Sequence, residues 1–357
     1  MSKVAVVLFN LGGPDSPAAV LPFLRNLFRD PAILRMPGFA RILLAEFIAR
    51  RRAPVAGEIY ARIGGRSPIR EETNAQARAL EKALESKGVQ ARAFVAMRYW
   101  HPRANEAVAE VKAFAPDRIV LLPLYPQFST TTTESSLEEW NKIAPTVRTS
   151  TVGCYGAETW FVRAYADSIR PVLEQARAQN GHGPNGVRVL FSAHGLPQRI
   201  ADAGDPYPLQ THATATAIAD ELGLNAQQWR LCYQSRVGRL QWIGPSTEQE
   251  ITAAGRDKAS VVVAPISFVS EHSETLVELD IELREFAHKA GVPAYFRAPA
   301  VGVQPVFIDG LATMVQRSLQ GALGACPLHA GRRCPRGLCV AATVRGRKVT
   351  GKEVRAT

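Results

Sequence analysis

Four apolar runs, residues 4–11, 118–125, 187–192 and 260–268, do more than any other feature to limit what this chain can fold into. They are rich in Val, Ile and Leu and do not alternate with polar residues. A strand with one wet face alternates, whereas a strand buried on both faces reads as a continuous apolar run, as in a parallel sheet covered by helices. Stretches with helical spacing lie between and after the runs, at 71–87, 105–114, 159–179, 212–222 and 274–290. This succession of strand and helix predicts an open α/β sheet with right-handed crossovers.

The chain also resembles itself. Leu122-Pro123-Leu124-Tyr125-Pro126-Gln127-Phe128 leads into a Ser/Thr run, and Ala264-Pro265-Ile266-Ser267-Phe268 leads into Val269-Ser270-Glu271. Both read as a strand, a proline-containing exit and a polar loop before a helix. Two similar α/β halves would produce this, and 357 residues suffice for about two domains. The expected division is 1–155, 156–303, a closing amphipathic helix at 304–323 and a Cys-containing basic tail at 324–357.

The formal net charge is +11, but the tail beyond Gly324 carries eight Arg and Lys against one Glu. The body is therefore nearly balanced, and the overall basicity gives no reason to expect a nucleic-acid partner. Five cysteines, an odd number in a long chain, argue against a disulfide framework and for a reducing compartment. No run approaches the roughly 18 apolar residues of a membrane span, and 4–11 reads as a buried strand, not a signal segment. The expected location is cytoplasmic. Residues 30–52 are unusual: Ile33, Leu34, Met36, Phe39, Ile42, Leu43, Leu44, Phe47 and Ile48 precede Arg50-Arg51-Arg52. Spacing leaves two readings open, an ordinary core helix or an exposed apolar lip that touches a greasy ligand or the inner face of a membrane.

Ligands of open α/β sheets bind beyond the carboxyl ends of the strands. His194 ends the third apolar run and is followed by Gly195. Beyond the fourth, Glu274, Glu278 and Glu282 recur every fourth residue, with Glu271 three positions before; on an α-helix all four share a face. Asp280 has Arg284 four residues on, but the stripe itself has only like-charged neighbours, a cost that a divalent cation or a shared proton would offset. Imidazole with carboxylates suits Fe²⁺, Zn²⁺ or Co²⁺. A G-x-G-x-x-G loop after the first strand, a P-loop, an H-E-x-x-H helix and a G-x-S-x-G elbow are all missing from the sequence.

From Val4 to about Leu323 the chain resembles the ferrochelatases. The matching stretches include Asn10-Leu11-Gly12-Gly13-Pro14, Arg62-Ile63-Gly64-Gly65-Arg66-Ser67-Pro68-Ile69, Arg98-Tyr99 and Tyr125-Pro126-Gln127-Phe128-Ser129. They continue with Phe191-Ser192-Ala193-His194-Gly195-Leu196-Pro197, Gln234-Ser235-Arg236-Val237-Gly238, Trp242-Ile243-Gly244-Pro245 and Phe268-Val269-Ser270-Glu271-His272-Ser273-Glu274-Thr275-Leu276. The resemblance implies two similar Rossmann-like domains with four-stranded parallel sheets and a porphyrin cleft between them. It implies a lyase that inserts Fe²⁺, its substrate, into protoporphyrin IX to give protohaem. It makes His194 and Glu274 the catalytic pair and, with Glu278 and Glu282, the residues that handle the metal. It assigns Leu11, Tyr125, Trp242 and Phe268 to the cleft walls, Arg52 and Ser67 to the propionates, and Arg98 to the substrate-contacting set. It also makes 33–52 the lip of the pocket.

Cys326, His329, Cys334 and Cys339 in the tail resemble the C-terminal cysteine cluster of family members that hold a [2Fe–2S] centre. The loop that carries a further cysteine in those members is Ser/Thr here, so a histidine-containing ligand set or a Zn²⁺ site is equally compatible. Two alternatives to protohaem synthesis are a chelatase for coproporphyrin or another divalent metal, and a two-domain metal or haem carrier without catalysis.

Overall fold

A computed structural model describes residues 2–34, 36–144, 149–180, 186–236 and 240–321 of the chain. The first apolar run forms β1 (Val4–Asn10), every residue of which is buried. It lies between β2 (Ala91–Met97) and β3 (Arg118–Pro123), and β4 (Thr149–Thr151) completes a sheet of order β2-β1-β3-β4. The chain then repeats the plan. β5 (Val187–His194) lies between β6 (Trp229–Gln234) and β7 (Ser260–Pro265), with β8 (Tyr295–Arg297) at the far edge. Every strand pair is parallel. The expected α/β class with two similar four-stranded parallel sheets is the observed one.

The four apolar runs are the four inner strands. Their side chains feed cores on the sheet faces: Ala5, Val7 and Phe9 pack with Val108, Val111 and Trp140 in the first unit, and Val261 and Val263 with Ile251, Leu279 and Leu283 in the second. Complete burial stabilises each such Val or Leu by roughly 1.5–3 kcal/mol. Cys232 is fully buried in the second core. There the helices Thr247–Arg256 and Leu283–Lys289 touch at Gly255, where a Cβ would meet the Ala290 carbonyl oxygen at 2.0 Å, so only glycine fits.

Contacts divide the described residues into a unit up to Cys154, joined by residues 308–321, and a unit spanning Tyr155–Phe307. Local detail repeats between them. The Met97 N–H donates to the Pro102 carbonyl at 2.7 Å, and the Tyr233 N–H to the Pro245 carbonyl at 2.9 Å. A helix cap follows at each place: the Arg103 N–H donates to the Glu106 carboxylate at 2.7 Å, and Ser246 and Gln249 cap each other reciprocally.

The segment after 30 is not an ordinary core helix. Gly38–Ala61 is helical, and it exposes Phe39, Ile42, Leu43 and Phe47 while burying Ala45 and Ala49. It is tied to the helix Val20–Phe28 at the edge of the exposed stripe, where Glu46 accepts two bonds from Arg25 at 2.6 and 2.7 Å and one from Arg50 at 2.6 Å.

Candidate active site

Strand order reverses beside β5, because the chain leaves it for β6 on one side and then returns to β7 on the other. The carboxyl ends of β5 and β7 therefore open onto a crevice where ligands bind in such sheets. His194 is the last residue of β5, in register with Gln234 of β6. Its Nδ1 lies 2.7 Å from the Gly195 carbonyl oxygen. A carbonyl can only accept, so Nδ1 carries a proton and Nε2 is the nitrogen left to exchange one. Gly195 is required for this exit: a Cβ there would stand 2.8 Å from the Gln234 carbonyl oxygen and 3.2 Å from the Trp242 ring.

Beyond β7 the backbone enters a π-helix, Glu274–Glu282, and continues as the α-helix Leu283–Lys289. The expected α-helix over 274–290 is thus a wider coil in its first half, and π-helical turns recur at functional sites. This changes the acidic stripe. Glu271 stands before the coil and is held by Arg297 at 2.9 Å. Glu274 and Glu278 converge on one residue, Ser235, just past β6. The Ser235 hydroxyl lies within hydrogen-bond reach of both carboxylates, 3.2 Å from Glu274, and shares its single proton between them, while its N–H donates to Glu278 at 2.7 Å. Glu282 is exposed at the far end of the coil. Among the described residues no three His, Cys, Asp or Glu side chains form a preformed metal cage. Of the four residues expected to handle the metal, His194 ends β5, Glu274 and Glu278 meet at Ser235, and Glu282 stands apart at the exposed end of the coil.

His194 Nε2 lies 3.7 Å from one oxygen of Glu274, and His272 Nε2 lies 3.9 Å from the other. His272 is buried, and among the described residues neither ring nitrogen has a hydrogen-bond partner. The Phe268 ring packs against both imidazoles, 4.5 Å from His272 and 6.4 Å from His194. Burial pushes Glu274 upward, but the two imidazoles and the Ser235 hydroxyl outweigh it and hold the carboxyl down at about 2. Burial and the adjacent Glu274 charge push Glu278 up to about 7, against the Ser235 bonds. The site thus places a lasting carboxylate next to an imidazole and, one turn on, a carboxyl that exchanges its proton near neutral pH.

The ferrochelatase family model matches residues 3–319. The chain is 53% identical over 336 residues to the ferrochelatase of Caulobacter vibrioides, covering 93% of this chain and 95% of the relative. It is 52% identical to the ferrochelatase of Phenylobacterium zucineum, covering 91% and 94%.

The chain belongs to the ferrochelatase family.

It is accordingly a metal chelatase, a lyase of haem biosynthesis with porphyrin and Fe²⁺ as substrates. Among solved structures, SirB from Bacillus subtilis with Fe³⁺ shares the fold, with a TM-score of 0.52 at 13% identity over 89% of this chain and 96% of that one.

The remaining residues expected in a ferrochelatase site are distributed as follows. Trp242 lies beside Gly195 in the second unit. Leu11, Arg52, Ser67, Arg98 and Tyr125 lie in the first. Leu11 packs with Val20, Phe23 and Tyr99, and Ser67 is buried against Gly13. The Arg52 guanidinium sits 5.9 Å from the Phe28 ring, and the Tyr125 hydroxyl 3.4 Å from Ser136. Arg98 is committed within the protein: its guanidinium reaches Asp30 at 2.7 Å, Ser135 at 2.8 Å and Glu139 at 3.1 Å. Cys326, His329, Cys334 and Cys339 lie outside the described residues.

Two functional candidates escaped the sequence reading, Ser235 and His272. Both lie inside quoted motifs. β6, an edge strand with Arg230 and Gln234 in it, does not read as an apolar run, so no strand exit in the sequence points to Ser235.

Proposed function

We propose that this ferrochelatase inserts Fe²⁺ into protoporphyrin IX, yielding protohaem and two protons, with His194 as the proton acceptor and Glu274 as its charge partner. One observation carries the reading: His194 Nε2 lies 3.7 Å from a carboxylate that shares Ser235 with Glu278. Two pyrrole N–H protons must leave as iron enters the ring. Imidazole titrates near neutrality and suits the first transfer. The imidazolium so formed is stabilised by the Glu274 anion, and Glu278 takes up or releases a proton at the same pH. Glu278 and Glu282 mark a polar path along the coil for the metal or for the departing protons. Phe268 and Trp242 offer apolar surface for a flat macrocycle, and Arg52 offers positive charge for its propionates.

Anaerobic mixing of the protein with free-base protoporphyrin and Fe²⁺ tests the reading. His194→Ala is expected to abolish insertion and to leave porphyrin binding, followed by fluorescence quenching, within about threefold of wild type. Turnover near the wild-type rate in that variant would sink the assignment, and porphyrin binding without turnover in the wild type would favour a carrier.

Two further proposals concern partners. The exposed Phe39, Ile42, Leu43 and Phe47, with Arg50, Arg51 and Arg52 behind them, support peripheral contact with the inner face of a membrane from the cytoplasmic side. No helix among the described residues is long and apolar enough to cross one. The thiolate-rich donor set Cys326, His329, Cys334 and Cys339 suits a [2Fe–2S] centre, with Zn²⁺ as the rival. Iron, acid-labile sulfide and zinc analysis of anaerobically purified protein and of Cys334→Ser decides between them, and finding none of the three would remove the centre.

A further inference from the structure

We propose that Arg297 is a positioning residue that fixes the register of the π-helix and so holds Glu274 and Glu278 on Ser235. The inference rests on the reading of those carboxylates given above. β8 is only three residues long, and Arg297 is its last. Its guanidinium is nearly buried, with 11% of the side chain exposed, and it reaches carboxylates on either side of the reactive pair. Nη1 donates to both oxygens of Glu271 at 2.9 and 3.2 Å, ahead of the coil, while Nε lies 3.3 Å from Asp280 Oδ2, inside it.

The same short strand grips the coil at two more points. The Tyr295 hydroxyl donates to the Leu279 carbonyl at 2.6 Å. Arg284 joins Asp280 at 2.5 Å to the Tyr295 carbonyl at 2.6 Å. The Ala300 N–H gives Glu271 a further bond at 3.0 Å. Glu274 and Glu278 thus sit on a segment pinned before them at Glu271 and beyond them at Leu279 and Asp280.

A wide coil needs such pinning. π-Helical turns are rare because the α-helix is the better packed alternative, and an unfavourable backbone persists only where its surroundings over-determine it. Tightening to α-helical bonding would rotate everything past the lost residue by about 100°. Either Glu274 or Glu278 would then swing off Ser235. A planar fork that engages two carboxylates at a set spacing resists that slip, and a point charge on a flexible stem does not.

The test uses the full chain with Arg297→Met, Arg297→Lys and Asp280→Asn. Amide hydrogen exchange across 274–282 is expected to speed up about tenfold or more in Arg297→Met while the inner strands keep their protection. Its kcat for iron insertion should fall about tenfold to a hundredfold, with porphyrin affinity within about threefold. Arg297→Lys should recover only part of the loss. Wild-type exchange and kcat in folded Arg297→Met would overturn the proposal, as would an activity loss matched by the loss of folded protein. Should that variant not fold, Asp280→Asn removes one arm alone, and unchanged exchange across the coil there also overturns it. Exchange needs neither porphyrin nor iron, so a failure of the clamp is distinguishable from a failure of the reaction reading.

Discussion

Ser235 adopts φ +60°, a left-handed backbone that costs a residue with a Cβ about 1–2 kcal/mol. What offsets the cost is visible at the site, where this conformation lets its N–H and its hydroxyl both meet Glu278 while the hydroxyl also meets Glu274. The two carboxylates differ in what their replacement should do. Glu274→Gln is expected to remove most activity, about a hundredfold or more, because a neutral amide cannot balance an imidazolium. Glu278→Gln should cost less, and steady-state kinetics showing the reverse order would overturn this ranking. Glu278 should instead dominate the pH dependence of stability. Raised from 4.5 to about 7, it keeps in the fold a proton that the unfolded chain releases above about pH 4.5. Stability is therefore lost as pH climbs from about 4.5 to 7, by up to roughly 3 kcal/mol. Glu274, lowered to about 2, works the opposite way: its contribution is present above about pH 4.5 and lost as pH falls toward 2. Urea unfolding of metal-free Glu278→Gln should show a smaller drop between pH 5 and pH 8 than wild type. An equal drop would place the pH dependence elsewhere.

At the scale of elements, the inner strands were legible and the outer ones were not, for one physical reason. β1, β3, β5 and β7 are covered on both faces and had to be written almost wholly in apolar residues. β2, β4, β6 and β8 each have one free edge and partly exposed side chains. Trp229-Arg230-Leu231-Cys232-Tyr233-Gln234 carries no run that periodicity could find. The π-helix was invisible for a different reason. Its residues are ordinary helix formers, and what widens the coil is tertiary: Arg297, Tyr295 and Ser235 arrive from other strands. His194 and the carboxylates stand out in the sequence because strand exits are where sheets of this class bind ligands, whereas the bonds from Arg98 to Asp30, Ser135 and Glu139 join distant parts of the chain and leave no pattern in it. Gly195 belongs to this scale because it lets β5 leave the sheet against β6. Gly195→Ala would press a Cβ onto the Gln234 carbonyl oxygen at 2.8 Å, a backbone neighbour that cannot turn aside. The expected outcome is a kcat reduced about tenfold or more through displacement of His194, with the Glu278-linked pH dependence of unfolding retained. Wild-type kcat would show that the exit relaxes freely.

Across the whole molecule, one plan is used twice and given different chemistry each time. The Leu124 N–H donates to the Phe9 carbonyl as the Ile266 N–H donates to the Ser192 carbonyl. Two residues past those carbonyls stand Leu11 in the first unit and His194 in the second, an apolar side chain where the other has an imidazole. The first unit also carries an addition. The helix Gly38–Ala61 follows β1, whereas β5 is followed by the short helix Gln198–Asp202. Ala45 and Ala49 bury one face of the added helix, and Glu46 at the edge of that face ties it to Arg25, so the stripe turned away from them cannot turn inward, and Phe39, Leu43 and Phe47 stand 64–75% exposed. Such a stripe is costly in water and suits a lipid interface. Burying each of the three side chains in a bilayer surface is worth about 1.5–3 kcal/mol, and each nearby arginine about 1 kcal/mol when the lipid is anionic. The chain should therefore float with phosphatidylserine-containing vesicles at low salt and less so at high salt. Replacing Phe39, Leu43 and Phe47 together by Ser should weaken flotation by at least about a hundredfold while circular dichroism and porphyrin affinity in solution change little. Replacing Arg50, Arg51 and Arg52 should act only on anionic vesicles. Undiminished flotation of the triple Ser protein would show that these side chains do not face lipid, and would leave the stripe as a surface for the macrocycle alone.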